Sequence, residues 1–238
     1  MKKLLPFTSL FLLIWASLAI GTAASAEINI TVKNLTHGTY FTPFLVTAHG
    51  ADSYLFHAGE AASDELQAMA EGGDISGLAS MLGGADADTV ENPAGGLLAP
   101  GQTVSNIMLN TDQTGNQYLS LVAMLLPTND GFVGLDSLKL PTAAGTYSYY
   151  VNGYDAGTEA NDELITGGGA PGVAGIPAAP GGDGGINGTG VTSTESNTVV
   201  HIHRGVLGDD EPDGGDSDLD VTIHRWLNPL AKVIVEIN

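Results

Sequence analysis

Tyr118-Leu119-Ser120-Leu121-Val122-Ala123-Met124-Leu125-Leu126, followed by Pro127-Thr128-Asn129-Asp130-Gly131, is the stretch from which the fold can be read. An apolar run of strand length ends at residues that signal a turn. Outward from it the same pattern repeats. Toward the N-terminus, residues 104–109 and 44–47 read as strands, and Ile28, Ile30 and Val32 alternate with polar neighbours as in a half-buried strand. Toward the C-terminus, residues 146–151, 199–204, 219–224 and 232–237 are further strand candidates, with Asn152-Gly153 as a turn signal. Two short helical patterns interrupt them. Ser63 is placed to cap residues 64–71 and Asp74 to cap residues 75–82, each with acidic residues in or before the first turn. About eight strands and few helices predict an all-β fold, an antiparallel β-sandwich with short helices in its loops.

The chain opens on a different kind of segment. Lys2 and Lys3 form a basic start, residues 10–20 form an apolar run interrupted only by Ser17, and Ala24-Ser25-Ala26 supplies small residues for cleavage. Residues 1–26 therefore read as a secretory signal peptide, with Glu27 as the new N-terminus. The run is shorter than the roughly 18–20 apolar residues a spanning helix needs. Export places the protein in a secreted or periplasmic setting, with no transmembrane segment after cleavage. Residues 27–238 are then one domain. The chain has no cysteine, which excludes a disulfide framework, a cysteine nucleophile and a cysteine-linked lipid anchor.

The charge is strongly negative, with 27 acidic residues against 7 basic ones and a net charge of −20. Loss of Lys2 and Lys3 takes it to −22. Such a chain repels nucleic acid and anionic membranes unless a cation intervenes. Adaptation to a saline environment explains the same charge. Residues 167–194 are dominated by Gly, Ala and Pro and have few large side chains to bury. They read as a long flexible loop inside the domain, since strand candidates lie on both sides.

The densest chemistry lies between Pro127 and Glu163. Asp130-Gly131-Phe132-Val133-Gly134-Leu135-Asp136-Ser137-Leu138 is followed, after a strand, by Tyr154-Asp155-Ala156-Gly157-Thr158-Glu159 and then Asn161-Asp162-Glu163. Carboxylates in Gly-containing loops after two strands can converge at one end of a sandwich. A hard cation such as calcium takes about six to eight oxygen ligands from carboxylates, backbone carbonyls and water. Loop aspartates also cap turns without any metal.

These two blocks, with the later His224-Arg225-Trp226-Leu227-Asn228-Pro229, resemble the spondin domain, the family named for the N-terminal region of F-spondin. The chain is similar to small bacterial members made of a signal peptide and this one domain. The resemblance implies a β-sandwich related to calcium-dependent phospholipid-binding domains, with Ca2+ in its end loops. It implies Asp130, Asp155 and Glu159 as the metal ligands. Glu159 stands where the animal proteins have aspartate, and it reaches one methylene further.

Other residues invite other readings. His201 and His203, two apart on a strand, could join His224 in a zinc site, which would make a metal-dependent hydrolase the alternative function. The same histidines can simply be hydrogen-bonded within the sandwich. Asp209-Asp210-Glu211-Pro212-Asp213-Gly214-Gly215-Asp216-Ser217-Asp218 lacks the spacing of a helix-loop-helix calcium site. It reads as a solvated hairpin tip or a weak second cation site. No Gly-x-Ser-x-Gly elbow or phosphate-cradling loop is present, and no enzyme activity is expected. The function expected is an extracellular binding or adhesion module. Its partner is a cell-surface glycan, lipid headgroup or protein, not nucleic acid. An acidic surface-layer protein is a third reading.

Overall fold

A computed structural model describes residues 27–83, 87–111 and 115–238; residues 1–26, where a signal peptide is expected, lie outside the described residues. Among the described residues, ten strands and two helices follow in the order β1 (Glu27–Asn34), β2 (Tyr40–Phe41), β3 (Leu45–His49), α1 (Asp64–Gly72), α2 (Ser76–Gly83), β4 (Asp88–Glu91), β5 (Thr103–Asn110), β6 (Tyr118–Leu126), β7 (Gly131–Lys139), β8 (Gly145–Asp155), β9 (His201–Ile202) and β10 (Ala231–Ile237). Every ladder between them is antiparallel. The strand order is β4-β3-β6-β7-β8-β10-β1-β5, with β2 added beside β6 and β9 beside β8. The sheet curls until its ends approach. At the seam the Asn110 amide donates to Asp88 Oδ2 at 2.5 Å. The result is a nearly closed, sandwich-like antiparallel β-sheet. No described helix is long and apolar enough to cross a membrane.

The alternation in β1 carries through to the core: Ile28, Ile30 and Val32 are buried between polar neighbours. They meet Val233, Val235, Leu121, Ala123 and Val133 in the interior of the curled sheet. β6 has no polar face because both of its faces are covered. Leu119, Leu121, Ala123 and Leu125 point inward, whereas Val122, Met124 and Leu126 pack with Leu66, Met69, Leu78 and Leu82 under the helices. That is the physical source of its apolar run, which the buried Ser120 interrupts. Both caps form. Ser63 Oγ accepts the Leu66 amide at 3.1 Å, and Asp74 Oδ1 accepts the Ser76 amide at 2.9 Å. Gly73 ends α1 at φ 74°, a left-handed position that suits glycine.

Three local expectations are corrected. Residues 219–224 form turns instead of a strand, with the Ile223 and His224 amides both donating to the Asp220 carbonyl. Of residues 199–204 only His201–Ile202 pairs as strand. Conversely, β7 is a full strand where the glycines suggested a loop. Gly134 lies so close to the Phe56 ring that a Cβ would come within 2.6 Å of it. Glycine here admits a neighbour and does not break the strand. Residues 167–194 contain no named helix or strand, yet Ile176 is fully buried against Ile165, Val206 and Leu219.

Candidate metal centre

Strand register assembles the site. Asp130 is the last residue of the β6–β7 turn, and Gly131 pairs with Asp155 at the end of β8. On its other side Asp155 pairs with His201 of β9. The Ala156 amide closes the corner by donating to the Asp130 carbonyl at 3.3 Å. Asp130 and Asp155 are therefore held side by side at one end of the sheet, 0% and 2% exposed.

Their hydrogen bonds leave a gap. Asp130 Oδ2 accepts three donors: the Thr158 amide at 2.8 Å, the Glu159 amide at 3.1 Å and the Thr158 hydroxyl at 3.2 Å. Its Oδ1 is buried and meets no donor. Asp155 Oδ1 accepts the Gly157 amide at 2.9 Å, and Oδ2 accepts Asn161 Nδ2 at 2.7 Å. His201 Nε2 lies 3.7 Å from Oδ2, an ion pair when the ring is protonated. Burial, and then the Asp155 charge beside it, push the Asp130 carboxyl up to about 7 against the pull of its amide donors. Burial also raises Asp155, opposed by Asn161 and His201, while Glu195 adds a further upward push.

The Glu159 amide binds Asp130, but its carboxylate finds other partners. Its Oε1 accepts Asn129 Nδ2 at 3.2 Å and a close Gly175 amide, and its Oε2 is buried without a donor. Burial raises its pKa as well. Among the described residues, no three His, Asp or Glu side chains stand close enough to hold an ion as they lie. The structure thus brings Asp130 and Asp155 together and commits the Glu159 carboxylate to Asn129 and Gly175. The donors still fit a hard cation: two of the three carboxylates carry a buried oxygen with no donor, and all are oxygen ligands.

The histidines do not gather. His203 is buried beside Trp226, with ring centroids 5.0 Å apart, and its Nδ1 accepts the Gly205 amide at 3.0 Å. Burial, with the Arg204 and His201 charges, pushes it down to about 3, so it stays neutral. His224 Nδ1 accepts the Asp220 amide at 3.0 Å, and burial lowers its pKa.

Part of the acidic run is committed to structure. Asp209 Oδ2 accepts the Asp216 and Ser217 amides at 2.8 Å each. Asp218 accepts the Ile165 amide at 2.8 Å and the Gly188 amide at 2.9 Å. Glu163 does similar work, accepting Leu207 and Gly208 amides and the Ser217 hydroxyl.

Glu195 was not visible as a site residue in the sequence. It lies in a stretch without strand or helix and reaches the site only because the backbone of residues 197–199 packs against Gly157. Gly157 has φ 71°, and a Cβ there would stand 2.8 Å from the Asn197 carbonyl oxygen. Only glycine permits that approach.

Comparison with known families matches residues 33–163 to the Spondin_N family, more than half of the chain. The match takes in both carboxylate-bearing blocks and ends before His224-Arg225-Trp226-Leu227-Asn228-Pro229. No curated protein matches the chain.

Proposed function

The chain belongs to the Spondin_N family, a family of extracellular-type domains not known as enzymes, and from that premise we propose that it is a calcium-binding module in which Asp130, Asp155 and Glu159 hold the ion. The observation that carries the reading is Asp130 Oδ1, buried without a donor beside a second buried carboxylate. Two such groups cannot both be ionised cheaply. Either one keeps its proton or a cation neutralises them. A hard dication does so with oxygen ligands, and Glu159 offers its donor-free Oε2 as a further one.

In this role the ion ties the β6–β7 turn to the loop after β8, so occupancy and loop order are coupled. The module then serves adhesion, binding a cell-surface glycan, lipid headgroup or protein at this end of the sandwich. The test is calorimetric titration of the chelator-stripped protein with calcium, alongside metal analysis of the protein as purified. One calcium per chain, lost in Asp155→Asn, supports the reading. Stoichiometric zinc, or calcium binding unchanged by Asp155→Asn, overturns it.

A further inference from the structure

Asn161 and Glu195 stand beside Asp155. Asn161 Nδ2 donates to Asp155 Oδ2 at 2.7 Å and reaches Glu195 Oε2 at 3.5 Å. One neutral amide group thus bridges two carboxylates. An NH2 dipole satisfies their lone pairs but cancels none of their charge. The place between two carboxylates, filled by the positive end of a dipole, is where a cation gains most.

Glu195 is held there by the chain. It precedes the 197–199 backbone that packs on Gly157, and His201, six residues on, pairs with Asp155 in the β8–β9 ladder. Gly157 and His201 fix this segment against the same end of β8 from two sides. Its own first residues fold back on themselves, with the Asn197 amide donating to Glu195 Oε1 at 2.7 Å. The carboxylate keeps Oε2 toward Asn161 and the site.

We propose that Asn161 and Glu195 complete the cation site, Glu195 as an added carboxylate ligand and Asn161 through its amide oxygen. This rests on the calcium reading above. It extends the site to Glu195, beyond the residues 33–163 that match the family. When the ion enters, a half-turn of the Asn161 amide exchanges Nδ2 for Oδ1, so the side chain that now donates becomes an oxygen ligand. The ion then sits against the Asp155, Asn161 and Glu195 oxygens together.

The experiment titrates calcium into the chelator-stripped wild type, Asp155→Asn and Glu195→Gln by calorimetry, at low and at high salt. Glu195→Gln is expected to weaken calcium binding by roughly 10-fold or more. That ratio persists at 1 M salt, where the Debye length is only about 3 Å and distant charges are screened. Because Glu195 is half-exposed in irregular backbone, the variant should fold, and its unchanged circular dichroism checks this. If Asp155→Asn abolishes binding while Glu195→Gln leaves it unchanged, or if the Glu195 effect vanishes at high salt, this inference fails and the calcium reading stands. If the wild type does not bind calcium, the calcium reading fails first.

Discussion

Asn228 is locked to Gly153: its Oδ1 accepts the Gly153 amide at 2.6 Å, and its Nδ2 reaches the Gly153 carbonyl at 3.4 Å. The same carbonyl accepts the His203 amide at 3.1 Å. One glycine of β8 therefore receives both the segment that follows β9 and the segment that precedes β10. It also lies two residues before Asp155, so this clamp sets the end of the strand on which the site is built.

Gly153→Ala tests the clamp. A Cβ there would run into Leu230 and come within 2.9 Å of the Trp226 ring. Overpacking of this kind costs about 1–3 kcal/mol. For a domain of this size each kcal/mol lowers Tm by roughly 2–4 °C. Thermal melts should show a drop of several degrees; an unchanged Tm would mean that the contact yields without strain.

In chelator at about pH 8, above the value to which Asp130 itself is pushed, Asp130→Asn is expected to raise Tm, because the amide puts no charge beside Asp155. The amide oxygen can keep the Thr158 and Glu159 donors, while the NH2 takes the place of the oxygen that has none. Calcium should no longer stabilise this variant. In wild type a hundredfold excess over Kd should add about 2.7 kcal/mol. Melts of both proteins with and without calcium decide it, and a calcium-free Tm below wild type would show that Oδ1 is not the liability argued here.

The pH dependence follows in sign. Asp130 titrates at about 7 in the folded chain, above its ordinary unfolded value near 4. Between those values the folded state holds the extra proton, so this group's contribution to calcium-free stability declines as pH rises from about 4 to about 7 and is flat above. His203, lowered to about 3, acts oppositely, costing stability as pH falls below about 6.5. The gain in Tm on Asp130→Asn should therefore be larger at about pH 8 than at about pH 5. Calcium affinity should run the other way, weakening below about pH 7 as protons compete for the carboxylates. An affinity independent of pH would rule out Asp130 as a ligand.

Ile176 gives residues 167–194 an apolar anchor. Its amide donates to the Leu164 carbonyl at 2.8 Å, and its side chain fills the small cluster with Val206 and Leu219. Ile176→Ala should cost about 2–5 kcal/mol in denaturant unfolding. A cost near zero would mean that the whole stretch can be replaced by a short connector without loss.

Periodicity alone determined the all-β class and most of the sheet, because a strand with one covered face alternates and one with two covered faces carries apolar residues on both. β1 and β6 are those two cases. Local chemistry also determined the starts of both helices, since Ser63 and Asp74 act on amides only a few residues away. The pairing of Asp130 with Asp155 was legible as a family motif, but its electrostatics was not. That two carboxylates share one buried corner, with one oxygen lacking a donor, follows from the β7–β8 register, which pairs Gly131 with Asp155 far along the chain. β7 is not legible locally because the purpose of Gly134, space for the Phe56 ring, lies in a neighbour far along the chain. Glu195 carries no motif at all. Only the tertiary structure decided its place, because the packing of residues 197–199 on Gly157 brings it to Asn161 and Asp155, and no local pattern encodes a contact of that range.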